Sequence, residues 1–225
     1  MARAALVTGG SSGIGLAIAH MLKEEGFELT LAARQVERLD AAASELEAHA
    51  CQADVALEED CERLVASHRE RFGRLDVLVN CAGVGFAARV EDAQTKHLDL
   101  QHAVNLRSAF LITRASVPLL RESSGWIVNM ASVAGVGPAP ALSAYGAAKA
   151  GLIAFTRSLN KELEDDGIRA CAICPGFVDT PMATWSGLAP EEMIQPEDCA
   201  EAVRTLLRLS PRARIPQIVI ERLGS

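Results

Sequence analysis

Short apolar runs alternate with longer amphipathic stretches along the chain. The apolar runs occupy residues 4–7, 29–33, 49–53, 76–80, 126–130, 169–174 and 217–220, and their length is typical of buried strands. Helical spacing of apolar residues predicts helices between them, at about 13–25, 36–48, 57–72, 102–120, 145–164 and 196–209. Because strands that alternate with helices form mostly parallel sheets, we predict an α/β fold with a doubly wound parallel sheet of about seven strands in a three-layer sandwich. One domain over residues 1–225 accounts for the whole pattern.

Composition narrows the classes of partner. The 225 residues are 49% hydrophobic and 23% charged, values typical of a globular protein with a core. The net charge is −7 and no basic stripe is present, which argues against nucleic-acid binding. No apolar run approaches the roughly 18 residues of a membrane span, and the first run is too short for the apolar part of a signal peptide. We therefore expect a cytoplasmic protein with neither nucleic acid nor membrane as a partner.

The six cysteines are scattered along the chain and favour reduced thiols. Cys171 and Cys174 have the spacing of a metal or redox pair, but they lie in an apparent strand, where residues three apart face opposite sides. The five histidines form no HExxH or similar ligand set. We expect packing roles for the pair and no metal site.

A glycine-rich turn joins the first strand to the first helix. It reads Thr8-Gly9-Gly10-Ser11-Ser12-Gly13-Ile14-Gly15. Glycines let the backbone turn tightly and approach a ligand, and the free N–H groups of a helix start favour a phosphate. A flexible turn without a ligand is the alternative. The position, after a strand and before a helix, favours phosphate binding by Gly9, Ser11, Ser12, Gly13, Ile14 and Gly15.

The end of the second strand bears on the choice of cofactor. Proteins that prefer NAD place Asp or Glu there to bind the ribose 2′-hydroxyl. This chain has Ala33 followed by Arg34, and a guanidinium attracts a 2′-phosphate that a carboxylate would repel. NADP(H) is therefore the preferred cofactor and NAD(H) the less favoured one. Arg38, four residues on, either adds positive charge or is a solvated helix residue.

Tyr145 and Lys149 lie one helical turn apart, so their side chains share a face. An ammonium beside a phenol lowers the phenol's pKa, and such a tyrosine can exchange a proton with a carbonyl or alcohol. Taken alone, the spacing is usually only a helix surface. Ser132 follows the fifth strand, where it can bind a substrate oxygen, and no GxSxG turn supports a serine nucleophile instead. Asn105 is either part of this group or a satisfied interior amide.

Together, TGxxxGxG and the ordered set Asn105, Ser132, Tyr145 and Lys149 resemble the short-chain dehydrogenase/reductase family over nearly the whole chain. The resemblance implies a Rossmann-like domain that uses NAD(H) or NADP(H). It implies that Lys149 also binds the nicotinamide ribose, and that Asn105 holds a water in a proton relay from Lys149.

Three further segments are similar to that family's cofactor contacts. Asp54-Val55 would meet the adenine, although Asp54 could also cap the next helix. Asn80-Cys81-Ala82-Gly83 resembles the family's Asn-Asn-Ala-Gly, which implies that Asn80 supports the sheet and the adenosine side. The segment with Pro175, Gly176, Val178 and Thr180 is similar to PGxxxT and would meet the nicotinamide carboxamide. The chain departs from the family at its end, where the segment 215–221 lacks the usual glycine-rich close.

The substrate is expected under a lid at about 181–195. Apolar residues mark this lid and the segment before Tyr145: Met182, Trp185, Leu188, Met193, Val133, Ala134, Pro138 and Leu142. Neither segment holds Arg or Lys, which favours an uncharged ketone, aldehyde or secondary alcohol. These apolar residues could instead merely anchor a loop.

Family resemblance also bears on assembly and on the rival functions. It implies a homodimer or homotetramer packed through the helices at about 102–120 and 145–164. The sequence thus predicts an NADP(H)-dependent carbonyl reductase. The alternatives are a non-catalytic NADP(H)-binding module and a nucleotide-sugar enzyme, for whose extra domain 225 residues leave little room.

Overall fold

Seven parallel strands form one twisted sheet in the computed structural model, which describes residues 2–224. They are β1 Ala4–Thr8, β2 Glu28–Ala33, β3 His49–Gln52, β4 Val77–Asn80, β5 Trp126–Met130, β6 Arg169–Pro175 and β7 Gln217–Ile220. Their order is β3-β2-β1-β4-β5-β6-β7, and every neighbouring pair is parallel. The predicted doubly wound sheet is confirmed, and the order reverses between β1 and β4. Ligands bind at such a reversal, beyond the carboxyl ends of the strands.

Helices cover both faces of this sheet. They are α1 Gly13–Glu24, α2 Val36–Leu46, α3 Glu58–Phe72, α4 Thr95–His102, α5 Ser108–Ser123, α6 Ser143–Glu162 and α7 Pro196–Leu207. Short 3₁₀ turns lie at Val133–Gly135, Pro181–Ser186 and Pro190–Glu192. The predicted element bounds hold to within about two residues, with one exception described next.

The helix predicted at 102–120 begins seven residues earlier than expected. It starts as α4 at Thr95 and passes through a π turn, Ala103–Arg107, into α5. Sequence pattern missed α4 because only Gln101 in it is buried, so the segment carries no apolar stripe. Single π turns of this kind often mark functional positions, and this one contains Asn105.

The core lies on both sides of the sheet. Ala5 and Val7 of β1 pack with α1, α2 and α7 on one side, and Leu6 packs with α3 and α5 on the other. Cys171 and Cys174 separate in the same way, one to each side of β6, and all six cysteines are free. Burial on both sides explains why the strands appear as continuous apolar runs in the sequence.

Three buried polar side chains cross this core and bind the sheet to α6. Asn80 Nδ2 on β4 donates to Asn129 Oδ1 on β5 at 2.8 Å, and Asn129 Nδ2 donates to Thr156 Oγ1 on α6 at 2.8 Å. Thr156 in turn donates to the backbone oxygen of Leu152 at 2.7 Å. Because each of these groups is withdrawn from water, losing a partner costs the full desolvation of the group left behind. The row therefore sets the position of α6 against β4 and β5.

Within residues 2–224, no helix is both long and apolar enough to cross a membrane. The same residues hold no group of three or more His, Cys, Asp or Glu side chains placed to bind a metal ion.

We expect Asn129→Ala to lower the free energy of unfolding by about 2–4 kcal/mol, because it removes a partner from both Asn80 and Thr156 and leaves a small void. Urea unfolding followed by circular dichroism measures the change. Thr156→Val keeps the side-chain volume and removes one hydroxyl, so it should cost clearly less. A loss below about 1 kcal/mol for Asn129→Ala would show that the row does not hold α6 in place.

Candidate active site

A large cleft opens at the carboxyl ends of β1, β4, β5 and β6. Its volume is about 730 Å³, within the range of small-molecule and cofactor sites. The walls come from the glycine turn after β1, the loop after β4, the segment 130–134, the first turns of α6 and the segment 175–183. The cleft thus lies where the order of the strands reverses.

The glycine turn forms one wall, and its shape requires glycine. Gly9 and Gly13 have left-handed φ angles of 68° and 51°. A Cβ atom at Gly13 would lie 2.9 Å from Thr180 Cγ2, and one at Gly15 would lie 2.3 Å from the backbone oxygen of Gly9. Ser12 precedes α1, but its side chain makes no capping hydrogen bond to the helix. The open surface and the uncapped N–H groups fit a phosphate at this point.

Most of the predicted phosphate-binding residues line the cleft. Gly9, Ser12, Gly13, Ile14 and Gly15 do so, whereas Ser11 lies beside it. Sequence reasoning missed the part played by Thr8. Its buried hydroxyl accepts from the N–H groups of Cys81 at 3.0 Å and Ala82 at 3.1 Å and so joins this turn to the loop after β4. The sequence feature that could have indicated this role of Thr8 is a hydroxyl residue at the end of an apolar strand.

Arg34 is exposed at the end of β2. No carboxylate in the described part of the chain pairs with Arg34, and its backbone oxygen accepts from Gln52 Nε2 at 3.2 Å. The guanidinium therefore remains available to an anion on the β2 side of the cleft.

Asp54 does not cap α3, so that alternative for it is wrong. Its Oδ1 accepts from the N–H of Ala56 at 3.0 Å, and its own N–H donates to Asp60 Oδ2 at 2.7 Å. Asp54 therefore closes a local turn, and α3 begins only at Glu58. Val55 beside it is buried, and neither residue is part of the cleft wall, which lies nearer to β1.

Two predicted asparagines lie behind the cleft wall. Asn80 belongs to the buried row under α6, whereas Ala82 and Gly83, which follow it, line the cleft. The side chain of Asn105 makes two hydrogen bonds to the backbone of Val84, the residue after Gly83. Its Nδ2 donates to the backbone oxygen of Val84 at 2.8 Å, and its Oδ1 accepts from the N–H of Val84 at 3.0 Å. Asn105 thus fixes the loop that runs beside Lys149.

The predicted serine, tyrosine and lysine come together in the cleft. Ser132 and Tyr145 both line the cleft, and the Ser132 hydroxyl is close enough to act on the pKa of the Tyr145 phenol. Lys149 is 3% exposed, its Nζ donates to the backbone oxygen of Met130 at 2.7 Å, and it lies 5.6 Å from the centre of the Tyr145 ring. Ser132 also accepts from the N–H of Ala134 at 3.2 Å.

Close backbone packing brings these groups together. A Cβ atom at Gly146 would lie 2.6 Å from the backbone oxygen of Ala134, and one at Gly135 would lie 2.7 Å from the backbone nitrogen of Ala150. The two glycines therefore let the first turns of α6 lie directly on the segment that carries Ser132.

Burial controls the pKa of both titratable groups. It raises the pKa of Tyr145 to about 12, against the opposing effect of the hydrogen bond from Ser132. It lowers the pKa of Lys149 to about 8. The expectation of a lowered pKa for Tyr145 is corrected here, because burial penalises the charged phenolate and the net shift is upward. Tyr145 is accordingly a protonated donor at neutral pH.

Residues after β6 close the cleft opposite the glycine turn. Pro175, Gly176, Val178 and Thr180, the residues expected to meet the carboxamide, all line it. From the lid, Pro181, Met182 and Ala183 reach the cleft, whereas Leu188 and Met193 do not, and the side chain of Trp185 lies outside the described part of the structure. Val133, Ala134 and Leu142 line the cleft, and Pro138 does not.

Sequence reasoning overlooked the loop that follows Gly83. Val84, Gly85 and Phe86 all line the cleft. Their position just after a strand end was the available signal, since such loops form the ligand site in parallel sheets.

Known proteins share both the sequence and the fold. The family model described as short chain dehydrogenase matches residues 3–189. An uncharacterized oxidoreductase of Staphylococcus epidermidis is 34% identical over 221 residues, which are 97% of this chain and 96% of the relative. One from Staphylococcus aureus is 32% identical over 222 residues, again 97% and 96% of the two chains.

Solved structures agree. An alcohol dehydrogenase from the archaeon Thermococcus sibiricus, complexed with 5-hydroxy-NADP, matches with a TM-score of 0.93 and 30% identity over 99% of this chain and 97% of that one. Levodione reductase matches with a TM-score of 0.88 and 31% identity over 97% and 95%. The predicted family is confirmed, and the chain is an oxidoreductase that belongs to the short-chain dehydrogenase/reductase family.

Proposed function

We propose that this oxidoreductase is an NADP(H)-dependent reductase of uncharged ketones and aldehydes, which it converts to alcohols. One observation carries the proposal: Ser132, Tyr145 and Lys149 open onto the same cleft as the glycine turn. Two structural neighbours are an alcohol dehydrogenase complexed with 5-hydroxy-NADP and levodione reductase, which is consistent with this choice.

Tyr145 acts as the proton donor in this mechanism. Its raised pKa of about 12 keeps the phenol protonated, so it can protonate the oxygen of a carbonyl as the alcohol forms. Ser132 lines the cleft with Tyr145 and can donate to the same oxygen, which polarises the carbonyl. NADPH, when bound, supplies the hydride for the carbonyl carbon.

Lys149 and Asn105 help to replace the proton that Tyr145 gives to the substrate. Lys149 is held by Met130 beside Tyr145, where its ammonium can bind ribose hydroxyls and return a proton. Asn105 keeps the neighbouring loop in place, and a lone pair not used by Val84 is free for the relay water that the family resemblance implies.

The proposed cofactor contacts include residues that line the cleft and residues beside it, at the ends of β2, β3 and β4. The glycine turn holds the pyrophosphate, Arg34 the 2′-phosphate, Asp54 and Val55 the adenine, and the segment 80–83 the adenosine side. Pro175, Gly176, Val178 and Thr180 hold the carboxamide. NAD(H) is less favoured because β2 ends without a carboxylate.

Substrate, assembly and location are part of the proposal. Lys149 is the one charged side chain in the described cleft lining, which favours an uncharged substrate under a lid at 181–195.

A homodimer or homotetramer is supported by Phe110 on α5, which is 46% exposed and packs against Phe155 of α6. Light scattering separates a monomer from either assembly. We further propose that the protein is cytoplasmic, which fractionation would test.

The second candidate function is a non-catalytic NADP(H)-binding module. It shares the glycine turn and Arg34 but has no need of a proton donor. The presence of Ser132, Tyr145 and Lys149 together in the cleft lining favours the enzyme.

We expect Tyr145→Phe to lower the turnover of uncharged ketones and aldehydes by at least about 100-fold, because the proton donor is lost. Absorbance of NADPH follows the reaction across a panel of such substrates. NADPH binding, measured by calorimetry, should stay close to that of the unaltered protein. Binding without turnover in the unaltered protein, across the whole panel, would favour the non-catalytic module.

Arg34→Glu should raise the KM for NADPH by about ten- to hundredfold, because a charge-assisted contact to the 2′-phosphate is replaced by repulsion. The KM for NADH should change little. Arg212→Glu is the matched control, since Arg212 is an exposed arginine on the loop before β7. Equal effects on both cofactors would contradict the NADP(H) assignment.

Reduction with NADPH should slow as the pH rises through about 8, where Lys149 loses its proton. Tyr145, with a pKa of about 12, stays protonated over that range and adds no step of its own. The pH profile of kcat/KM between pH 6 and pH 10 measures this, with stopped assays used at the alkaline end to limit cofactor decay. A flat profile to pH 10 would remove Lys149 from the proton path.

A further inference from the structure

One end of the cleft lies between the loop 84–86, the segment 139–142 and Met182 of the lid. Gly85 faces the proton donor there: a Cβ atom at Gly85 would lie 3.7 Å from Cδ2 of Tyr145 and 3.8 Å from Sδ of Met182. A carbonyl held by Tyr145 and Ser132 therefore has its substituents near this loop. Phe86 is the next residue and supplies the aromatic surface at this end.

Phe86 is fixed on its backbone and on its ring. Its N–H donates to Oε1 of Gln101 at 3.0 Å, and Gln101 is 1% exposed. The ring stacks on the imidazole of His97, with centroids 4.2 Å apart and planes only 5° from parallel. Both partners lie on α4, the helix that the sequence pattern did not reveal. The aromatic ring is therefore a preformed part of the cleft wall.

A second link fixes the loop beyond Phe86. The N–H of Ala88 donates to the backbone oxygen of Ala141 at 2.8 Å. Ala141 has a φ of +61°, a left-handed conformation that costs energy in alanine and persists only where the surroundings impose it. The two segments that border the substrate end are therefore joined to each other.

Phe86 also separates the cleft from a small cavity behind it. That cavity has a volume of about 20 Å³ and is lined by Phe86, His97, Gln101 and residues of the segment 141–144 among others. Because Phe86 lines both spaces, we expect a shorter side chain there to join them and to deepen the substrate end of the cleft.

We infer that Phe86 is a specificity-determining residue, and that it selects uncharged carbonyl compounds with a planar ring next to the carbonyl carbon. This inference rests on the proposed function. His97 covers one part of the Phe86 ring, and the part that borders the cleft is left for a substrate ring to pack on. Offset or edge-on aromatic packing adds stabilisation beyond the area buried, which a saturated ring of equal size does not obtain.

The test compares acetophenone with cyclohexyl methyl ketone, which differ in the ring's π system and little in size. The ratio of their kcat/KM values with NADPH is measured in the unaltered protein and in Phe86→Leu. We expect the substitution to lower the preference for acetophenone by about three- to tenfold, the range that aromatic packing supports. Comparison between variants cancels the intrinsic reactivity of the two ketones.

Phe72→Leu is the matched control, because Phe72 also packs against a histidine, with its centroid 5.3 Å from that of His68, but lies on α3 away from the cleft. It should leave the ratio unchanged. Phe86→Ala opens the cavity and should raise kcat/KM for 2-acetylnaphthalene relative to acetophenone. Thermal unfolding of each variant verifies that it is folded.

Calorimetry measures the binding of acetophenone and cyclohexyl methyl ketone to the NADP⁺-loaded protein. This measurement distinguishes failure of the inference about Phe86 from failure of the proposed function. If ketones are reduced and Phe86→Leu keeps the ratio, the inference is wrong and the proposed function stands. If no ketone or aldehyde is reduced, the proposed function fails, and the binding ratio decides the role of Phe86. A binding preference for acetophenone that Phe86→Leu removes supports it, and equal binding of both ketones overturns it.

Discussion

The position of the reacting groups depends on the close contact between the first turns of α6 and the end of β5. Gly135 and Gly146 allow this contact, since a side chain at either would meet backbone at less than 3 Å. The contact places Lys149 against the backbone oxygen of Met130 and Tyr145 beside Ser132. The buried row of Asn80, Asn129 and Thr156 holds the rest of α6 to the sheet. Close backbone packing therefore positions the first turns of α6, and buried hydrogen bonds position the remainder of the same helix.

Burial in this contact changes both titratable groups in a useful direction. The low polarity of the site raises the pKa of Tyr145 from 10.0 to about 12 and lowers that of Lys149 from 10.5 to about 8, so the two values move apart and the lysine becomes the more acidic group. The phenol then holds its proton firmly while the lysine is the group poised to exchange one. That division suits a tyrosine that gives a proton to substrate and a lysine that restores it.

The two ends of the cleft recognise their ligands by different physics. At the glycine turn, backbone N–H groups and the absence of side chains create a surface for a phosphate. At the other end, Phe86, Gly85 and Met182 offer apolar contact with no charged partner apart from Lys149 in the described lining. In the proposed function, cofactor binding therefore rests mainly on the main chain, whereas selection of substrate rests on side chains such as Phe86.

The sequence by itself determined the order of elements, the parallel sheet, the glycine turn and the grouping of Ser132, Tyr145 and Lys149. The elements and the glycine turn follow from local periodicity and from motifs at strand ends, which the chain carries within short segments, and the grouping follows from the resemblance to the family. Tertiary structure alone decided the rest: the early start of the helix at Thr95, the hold of Asn105 on Val84, the direction of the Tyr145 pKa and the clamp on Phe86 by Gln101 and His97. Each of these depends on desolvation or on contacts between residues distant along the chain or on different elements. Such quantities arise only when the packed molecule excludes water, so no local pattern could contain them.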